Sequence, residues 1–220
     1  MKKFNGLCAV IVVITIALFV VTLGQNIVAR TASIYLYHFN DRNCVGLITT
    51  ELTGEEVANK ITDYMNSWDE GEFQIKEFTG YDYQGIFTDD ESYNMFIAHK
   101  LLKKSAVICI VSFVISFSIM LYFILKRKRL LVRVTMAVSG VLTIVSMAAQ
   151  SALLTSSSGR QWIRDRYGLF DLNKECNLVT ILGGDYFDTA TRFFLLFSAV
   201  ALGVIFYLCY RLTRPDRLFS

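Results

Sequence analysis

The stretch AVICIVSFVISFSIMLYFILKRKRLLVRVTMAVSGVLTIVSMAAQSALL, residues 106–154, decides the fold. Two apolar blocks, Ala106–Leu125 and Val134–Leu154, flank a turn that carries Lys126, Arg127, Lys128, Arg129 and Arg133. About 20 consecutive apolar residues cross roughly 30 Å of hydrocarbon as a helix. Each block meets that length, and residues 126–133 leave room only for a tight turn. The stretch reads as a membrane-spanning helical hairpin with a basic end.

Two more blocks lie outward of this hairpin. One runs from about Gly6 to Val28 without a charge, behind Lys2 and Lys3. The other runs from Phe193 to Tyr210, ahead of Arg211, Arg214 and Arg217. The first is too long for a signal-peptide core, and no small-x-small cleavage site follows it, so it reads as an uncleaved anchor. The expected fold is an all-α membrane protein with four transmembrane helices and a partly helical outer segment between the first and second. Residues 1–28 hold the N-terminal flank and first span, 29–105 the outer segment, and 106–125 the second span. Residues 126–133 form the cytoplasmic turn, 134–154 the third span, 155–192 a second outer loop, 193–210 the fourth span and 211–220 the tail.

Short-flank Lys and Arg set orientation. With four crossings, all three basic flanks share one side. That side is expected to be the cytoplasm, with both termini there and residues 29–105 and 155–192 extracytoplasmic in a multi-pass protein of the cell membrane. Composition agrees: 54% of the 220 residues are hydrophobic, with a single proline. The net charge of +3 is small and dispersed, which argues against nucleic acid as a partner.

The outer segments carry their own signals. Thr53-Gly-Glu-Glu56 has capping-box spacing. Val57, Ile61, Tyr64, Met65 and Trp68 then recur at helical spacing, predicting an amphipathic helix over 53–70 that ends near Gly71. Its apolar stripe packs on the ectodomain or meets the membrane surface or a lipid. A second box, Thr88-Asp-Asp-Glu91, opens a helix with no breaker before the second span, predicting one helix over 89–125. Phe78 to Phe87 reads as a loop or short extended piece. In the second outer loop, Trp162, Tyr167 and Phe170 stand among Arg160, Arg164 and Arg166. That mixture suits the headgroup zone and equally a surface that meets lipid phosphates, which makes Arg160, Trp162 and Arg164 candidate substrate contacts. Gly183-Gly184-Asp185 marks a turn and helix cap.

Of five cysteines, Cys8, Cys109 and Cys209 fall inside spans, as small buried apolar residues. Cys44 and Cys176 lie outside, one in each outer segment, and are candidates for a disulfide. No CxxC or Cys/His cluster suggests a metal, no cofactor motif is present, and neither GxSxG nor HExxH occurs. His38 and His99 are the only histidines. Both are expected near the outer face, where an imidazole serves as a general base or as a polar interfacial residue. Glu91 is a candidate acid or orienting carboxylate, and also the third residue of its capping box.

Three stretches carry a family resemblance. Ile61-Thr-Asp-Tyr64-Met65 is like a family helix ending in Tyr-Leu. Phe87-Thr-Asp-Asp-Glu91-Ser-Tyr-Asn94-Met95 is like Phe…Glu-x-x-His-Met. Leu178-Val-Thr-Ile-Leu-Gly-Gly-Asp-Tyr186-Phe187 is like Leu-Ile…Pro…Phe-Phe. In their order around the spans, the chain resembles the bacterial lipoprotein intramolecular transacylases. The resemblance implies chemistry at the outer face: an acyl chain moves from the glyceryl group of a lipid-modified cysteine to that residue's own amine. A base must deprotonate the amine, and a donor must stabilise the oxyanion; in the family, histidines from the two outer segments are thought to fill these roles. This chain departs at those histidines. Asn94 stands where the pattern has His, and an amide donates to an oxyanion but takes no proton at neutral pH. His99 stands where the family usually has Lys. The second family histidine falls near Arg160 or Gln161, and no histidine follows His99. Cys176 replaces an aspartate.

The candidate catalytic residues are therefore Glu91, Asn94 and His99. Three readings stand open: a transacylase-like enzyme with a relocated base, a catalytically silent relative that binds lipid or lipoprotein, and a four-span accessory subunit with a membrane-protein partner.

Overall fold

Arg127 ends the first helix of the basic hairpin by adopting the left-handed conformation, at φ 52°. Its N–H returns to the Ile124 carbonyl at 2.9 Å, and that of Lys128 to Phe123 at 3.0 Å. These bonds satisfy carbonyls that the helix end leaves without intrahelical donors. The computed structural model describes residues 2–49, 51–69, 71–78, 80–169 and 176–214. Phe170 and Arg217, singled out in the sequence, lie outside them.

In chain order the elements are α1 (Lys2–Ala29), α2 (Ala32–Arg42), a 3-10 turn (Val45–Leu47) and α3 (Gly54–Asn66). A two-stranded ribbon follows, β1 (Lys76–Phe78) and β2 (Tyr83–Gly85). Then come α4 (Asp89–Leu125), α5 (Arg129–Thr155), α6 (Ser157–Tyr167), α7 (Asn177–Leu182) and α8 (Gly184–Leu212). Among the described residues, four helical segments are long and apolar enough to cross a membrane: Lys3–Ala29, Asp89–Leu125, Arg129–Thr155 and, with α7 and α8 taken together, Asn177–Leu212. The fold is that of an all-α membrane protein.

The chain forms two compact units. The first comprises Met1–Gly24, Ser105–Ala149 and Leu195–Ser220. Cys8, Val12, Ile16 and Val20 recur every fourth residue on α1 and pack with Met120, Phe123, Val132 and Met136. Val12, Val20, Phe123 and Val132 have no exposed surface. In hydrocarbon such faces are held by close packing rather than by escape from water. The opposite faces turn apolar side chains outward, among them Val10, Ile110, Val141 and Val200. The polar residues inside are self-satisfied. Ser139 donates to the Thr135 carbonyl at 2.8 Å and Thr143 to Ser139 at 2.7 Å, as a water-free interior requires. Two ties brace the basic end: Lys128 Nζ to Asn5 at 2.5 Å, and Arg133 to the Thr213 carbonyl at 3.1 Å.

The second unit comprises Gln25–Lys104 and Gln150–Phe194. Helix α3 opens with the capping box: Thr53 N–H donates to Glu56 at 2.8 Å, and Glu56 N–H donates to Thr53 Oγ1 at 3.3 Å. It buries Val57, Ala58, Ile61, Thr62 and Met65. The helix stops at Asn66, earlier than the expected Gly71, because α4 captures its end. His99 Nε2 lies 2.9 Å from the Ser67 carbonyl, and Lys103 Nζ lies 2.5 Å from that of Trp68. Trp68 is consequently off the stripe and 74% exposed. The ribbon pairs Lys76 with Gly85 and Phe78 with Tyr83.

The expected disulfide is not formed. Cys44 and Cys176 are free thiols. Cys44 is buried at the head of the 3-10 turn, and Cys176 is the N-cap of α7. Each serves its own local turn, and a bridge would need their Cβ atoms about 4 Å apart.

Candidate functional site

Helix α2 gives the site its first wall. Tyr35, His38 and Arg42 are spaced by three and four residues and so share one face. Tyr35 and His38 are each only 3% exposed. Asn43 then ends the helix in the left-handed conformation, at φ 48°.

The second wall is α7 and the start of α8. Gly183 and Gly184 break the apolar run between them. A Cβ on Gly183 would come within 2.4 Å of the Val179 carbonyl oxygen, so the break requires glycine. Between the walls lies a cavity of about 400 Å³, lined by His38, Arg42, Val179, Thr180, Gly183, Gly184 and Asp185. Its volume falls in the range of small-molecule sites.

Aromatic contacts fix the imidazole. Tyr186 stands edge-on to it with ring centres 5.5 Å apart, and stacks on Tyr35 at 5.2 Å, nearly parallel. The Tyr186 hydroxyl donates to that of Tyr35, which donates to the Ala29 carbonyl at 2.9 Å. Burial pushes the Tyr35 phenol up to about 12, so it stays protonated. His38 reaches the Ile181 backbone, while its buried Nδ1 has no hydrogen-bond partner. Burial holds the imidazole below its ordinary value, Arg42 adds to that, and Asp185, Ile181 and Asp41 partly oppose it. The result is a neutral ring at pH 7. Arg42 is shared between two carboxylates, Asp185 at 3.5 Å and Asp41 at 3.6 Å.

The sequence candidates on α4 occupy other places. Glu91 is 1% exposed, and both of its carboxylate oxygens accept hydrogen bonds. Its Oε2 accepts from Thr88 N–H at 2.7 Å and Thr88 Oγ1 at 2.9 Å, and its Oε1 accepts from Leu178 N–H at 2.6 Å. It thus caps α4 and also α7, whose own N-cap Cys176 makes no side-chain cap bond. Asn177 adds a bond to the Ile86 carbonyl at 2.8 Å. Residues 179 and 180, just beyond, line the cavity. Asn94 is buried and donates to the Asp90 carbonyl at 3.1 Å. His99 is 1% exposed, held against Ser67 and the Tyr64 ring. Arg160 donates to the carbonyls of Leu154 at 3.2 Å and Thr155 at 3.1 Å, closing the end of α5. Trp162 and Arg164 are exposed on α6.

In the sequence His38 stands beside Arg42 without any mark that joins it to Asp185 or Tyr186, its partners in the fold. The Tyr35-x-x-His38-x-x-x-Arg42 spacing was the available signal, but the helix carrying it lacks a capping box.

No family model matches the chain, and no curated protein matches it in sequence. Solved structures do match. The membrane integral lipoprotein intramolecular transacylase Lit from Bacillus cereus superposes with TM-score 0.73 at 16% identity, over 96% of this chain and 97% of that one. Two forms of the same protein, with one histidine changed to arginine or to alanine, give TM-score 0.74 at 15% and 14% identity, again over 96% of this chain. The neighbour chains are covered to 92% and 94%. Over the 96% that superposes, the fold of this chain is therefore Lit-like.

Proposed function

We propose that this protein acts on lipid or lipoprotein at the extracytoplasmic face of the membrane, by intramolecular O-to-N acyl transfer on a lipidated N-terminal cysteine. The observation that carries the reading is a buried, neutral histidine that lines a small cavity and whose Nδ1 is unpartnered, in a chain of Lit-like fold. The three basic flanks support the orientation.

In the proposed step His38 takes a proton from the substrate ammonium. The freed amine attacks the glyceryl ester carbonyl, forming the C–N bond. The C–O bond then breaks, and the imidazolium returns its proton to the departing glyceryl oxygen. The second amine proton then passes to the neutral imidazole and on to water, leaving an amide and a hydroxyl, and no co-reactant is needed. Helix α8 opens beside the cavity at Gly184 and Asp185. First-turn amides have no intrahelical acceptor, so these are the proposed oxyanion donors. Glu91 and His99 are assigned as positioning residues, since both are already bonded to backbone. Asn94 is left inside α4, and Trp162 and Arg164 are proposed headgroup contacts.

The test is expression in a bacterial host that makes diacylated lipoproteins, with mass spectrometry of their N-termini. Lyso-form N-termini with the parent chain, lost in His38→Gln, are the expected result. Unchanged N-termini at good expression would remove the catalytic reading. Asn94, standing where the family has histidine, favours a second reading, a relative that binds such lipids without turning them over. Binding without product would select it.

A further inference from the structure

We infer that Asp185, backed by Asp41 across Arg42, forms a subsite for a primary ammonium group and presents that amine to His38 Nδ1. The inference rests on the acyl-transfer reading for the identity of the amine, but not for the existence of the subsite.

The charge at the cavity decides the sign of the ligand. Asp41 and Asp185 both contact Arg42, at 3.6 and 3.5 Å. Asp185 lines the cavity with Arg42, and Asp41, outside the lining, holds the same guanidinium, so the three groups together carry one net negative charge. An anion would meet one cation already shared between two acids. An ammonium meets an acid with capacity to spare. Asp185 also lies in the first turn of the 29-residue helix α8. Its side chain is 64% exposed, hence reachable by a ligand.

The buried histidine supplies the second, independent observation. His38 is 3% exposed, yet Nδ1 has no partner. A buried polar atom left unsatisfied is costly, and a donor arriving from a ligand removes the cost. An ammonium has several N–H donors, enough for both Asp185 and His38. A tertiary or quaternary amine would lack them. The cavity of about 400 Å³ has room for a polar head and its first ester, while two acyl chains must lie outside it.

A primary ammonium at a membrane comes from two sources: the free N-terminus of a lipidated cysteine, or an aminophospholipid headgroup. The experiment separates them. Full-length protein in phosphatidylcholine nanodiscs is titrated with an S-diacylglyceryl-cysteinyl tetrapeptide, carrying either a free or an acetylated amine. The free-amine peptide is expected to bind at least tenfold more tightly, with the preference falling below threefold in Asp185→Asn. Acidification below about pH 6.5 is expected to weaken only the free-amine peptide, as His38 gains charge, and His38→Gln abolishes that drop. The groups facing this ring are Arg42 and Asp41 from its own helix, Asp185 and Tyr186 from α8, and Tyr35 beside it. Equal binding of both peptides by the parent protein overturns the subsite without reference to any variant. A preference that survives Asp185→Asn in a folded protein also overturns it. Nanodiscs containing phosphatidylethanolamine then name the occupant: competition assigns the lipid headgroup, and its absence assigns the lipidated N-terminus. An amine preference with no lyso-form product supports the subsite and removes acyl transfer.

Discussion

Glu91 Oε1 accepts the Leu178 N–H at 2.6 Å, joining the first turn of α4 to the first turn of α7 across 87 positions of sequence. A residue whose spacing marks it as a helix cap is thus the cap of two helices, and the second of them walls the cavity. Glu91→Gln is expected to cost roughly 1.5–3 kcal/mol, the usual scale for bonds to a charged acceptor. Thermal unfolding in detergent measures it. Amide hydrogen exchange should rise over 177–182 before other regions. A variant that melts with the parent would show that α7 does not depend on this carboxylate.

His99→Ala removes the ring that holds the Ser67 carbonyl. It leaves a half-buried acceptor without that donor and a gap beside Tyr64, a loss of about 2–4 kcal/mol. Limited proteolysis should then open the segment after α3, near Trp68. An acyl-transfer assay is not needed to read this outcome, because the role assigned to His99 is positioning. Restoration of protection by His99→Gln would mark a hydrogen bond as its content.

The pH dependence of stability follows from His38. Burial lowers its folded pKa below the ordinary 6.5, so the unfolded chain binds the proton first as pH falls. Its contribution is complete above 6.5 and is lost as pH drops through the lowered value. Melting temperatures compared between about pH 7.5 and 5 should therefore decline more steeply in the parent than in His38→Gln. Parallel curves would place the acid sensitivity elsewhere.

Gly159→Ala should loosen the junction of α5 and α6. A Cβ there would lie 2.3 Å from the Leu153 carbonyl oxygen and 2.6 Å from Leu153 Cα, both backbone atoms. Relief requires a shift of the helix end, at a cost on the order of 1–3 kcal/mol. The measurement is the melting temperature together with tryptophan fluorescence, since Trp162 rides on α6.

Thiol chemistry tests the cysteines and the topology together. Cys176 is half-buried and Cys44 is 4% exposed, with burial raising the Cys44 thiol above its usual range. A membrane-impermeant maleimide applied to intact spheroplasts should label Cys176 faster than Cys44. Reduction should leave gel mobility unchanged. Labelling of Cys176 only after lysis would reverse the proposed orientation.

The spans were legible because length and apolarity suffice in a bilayer: the hairpin around 126–133 needs no tertiary information. Thr53 and Glu56 announced α3, and Thr88 and Glu91 announced α4, since capping is local chemistry. Helix α2 was not foreseen, because IYLYHFNDR has neither a capping box nor a clean period. Helix α6 escaped because its sequence is polar nearly throughout, and its real signals are Ser156 at the N-cap and Gly168 at φ 67°. The site was the least legible part. Glu91 and His99 bond to backbone groups 87 and 32 positions away, and no sequence pattern records such partners. His38 acquires its setting from Asp185 and Tyr186, far along the chain.

Helix α7 has six residues, too few to persist alone in water. Its cap is supplied by α4, and its continuation is the last span. A ribosome therefore delivers the wall of the cavity 87 positions after the carboxylate that supports it. A chain arrested before the fourth span carries His38 but no cavity around it. The cavity is in this sense closed only once α7 and the start of α8 have emerged and docked on what came before them.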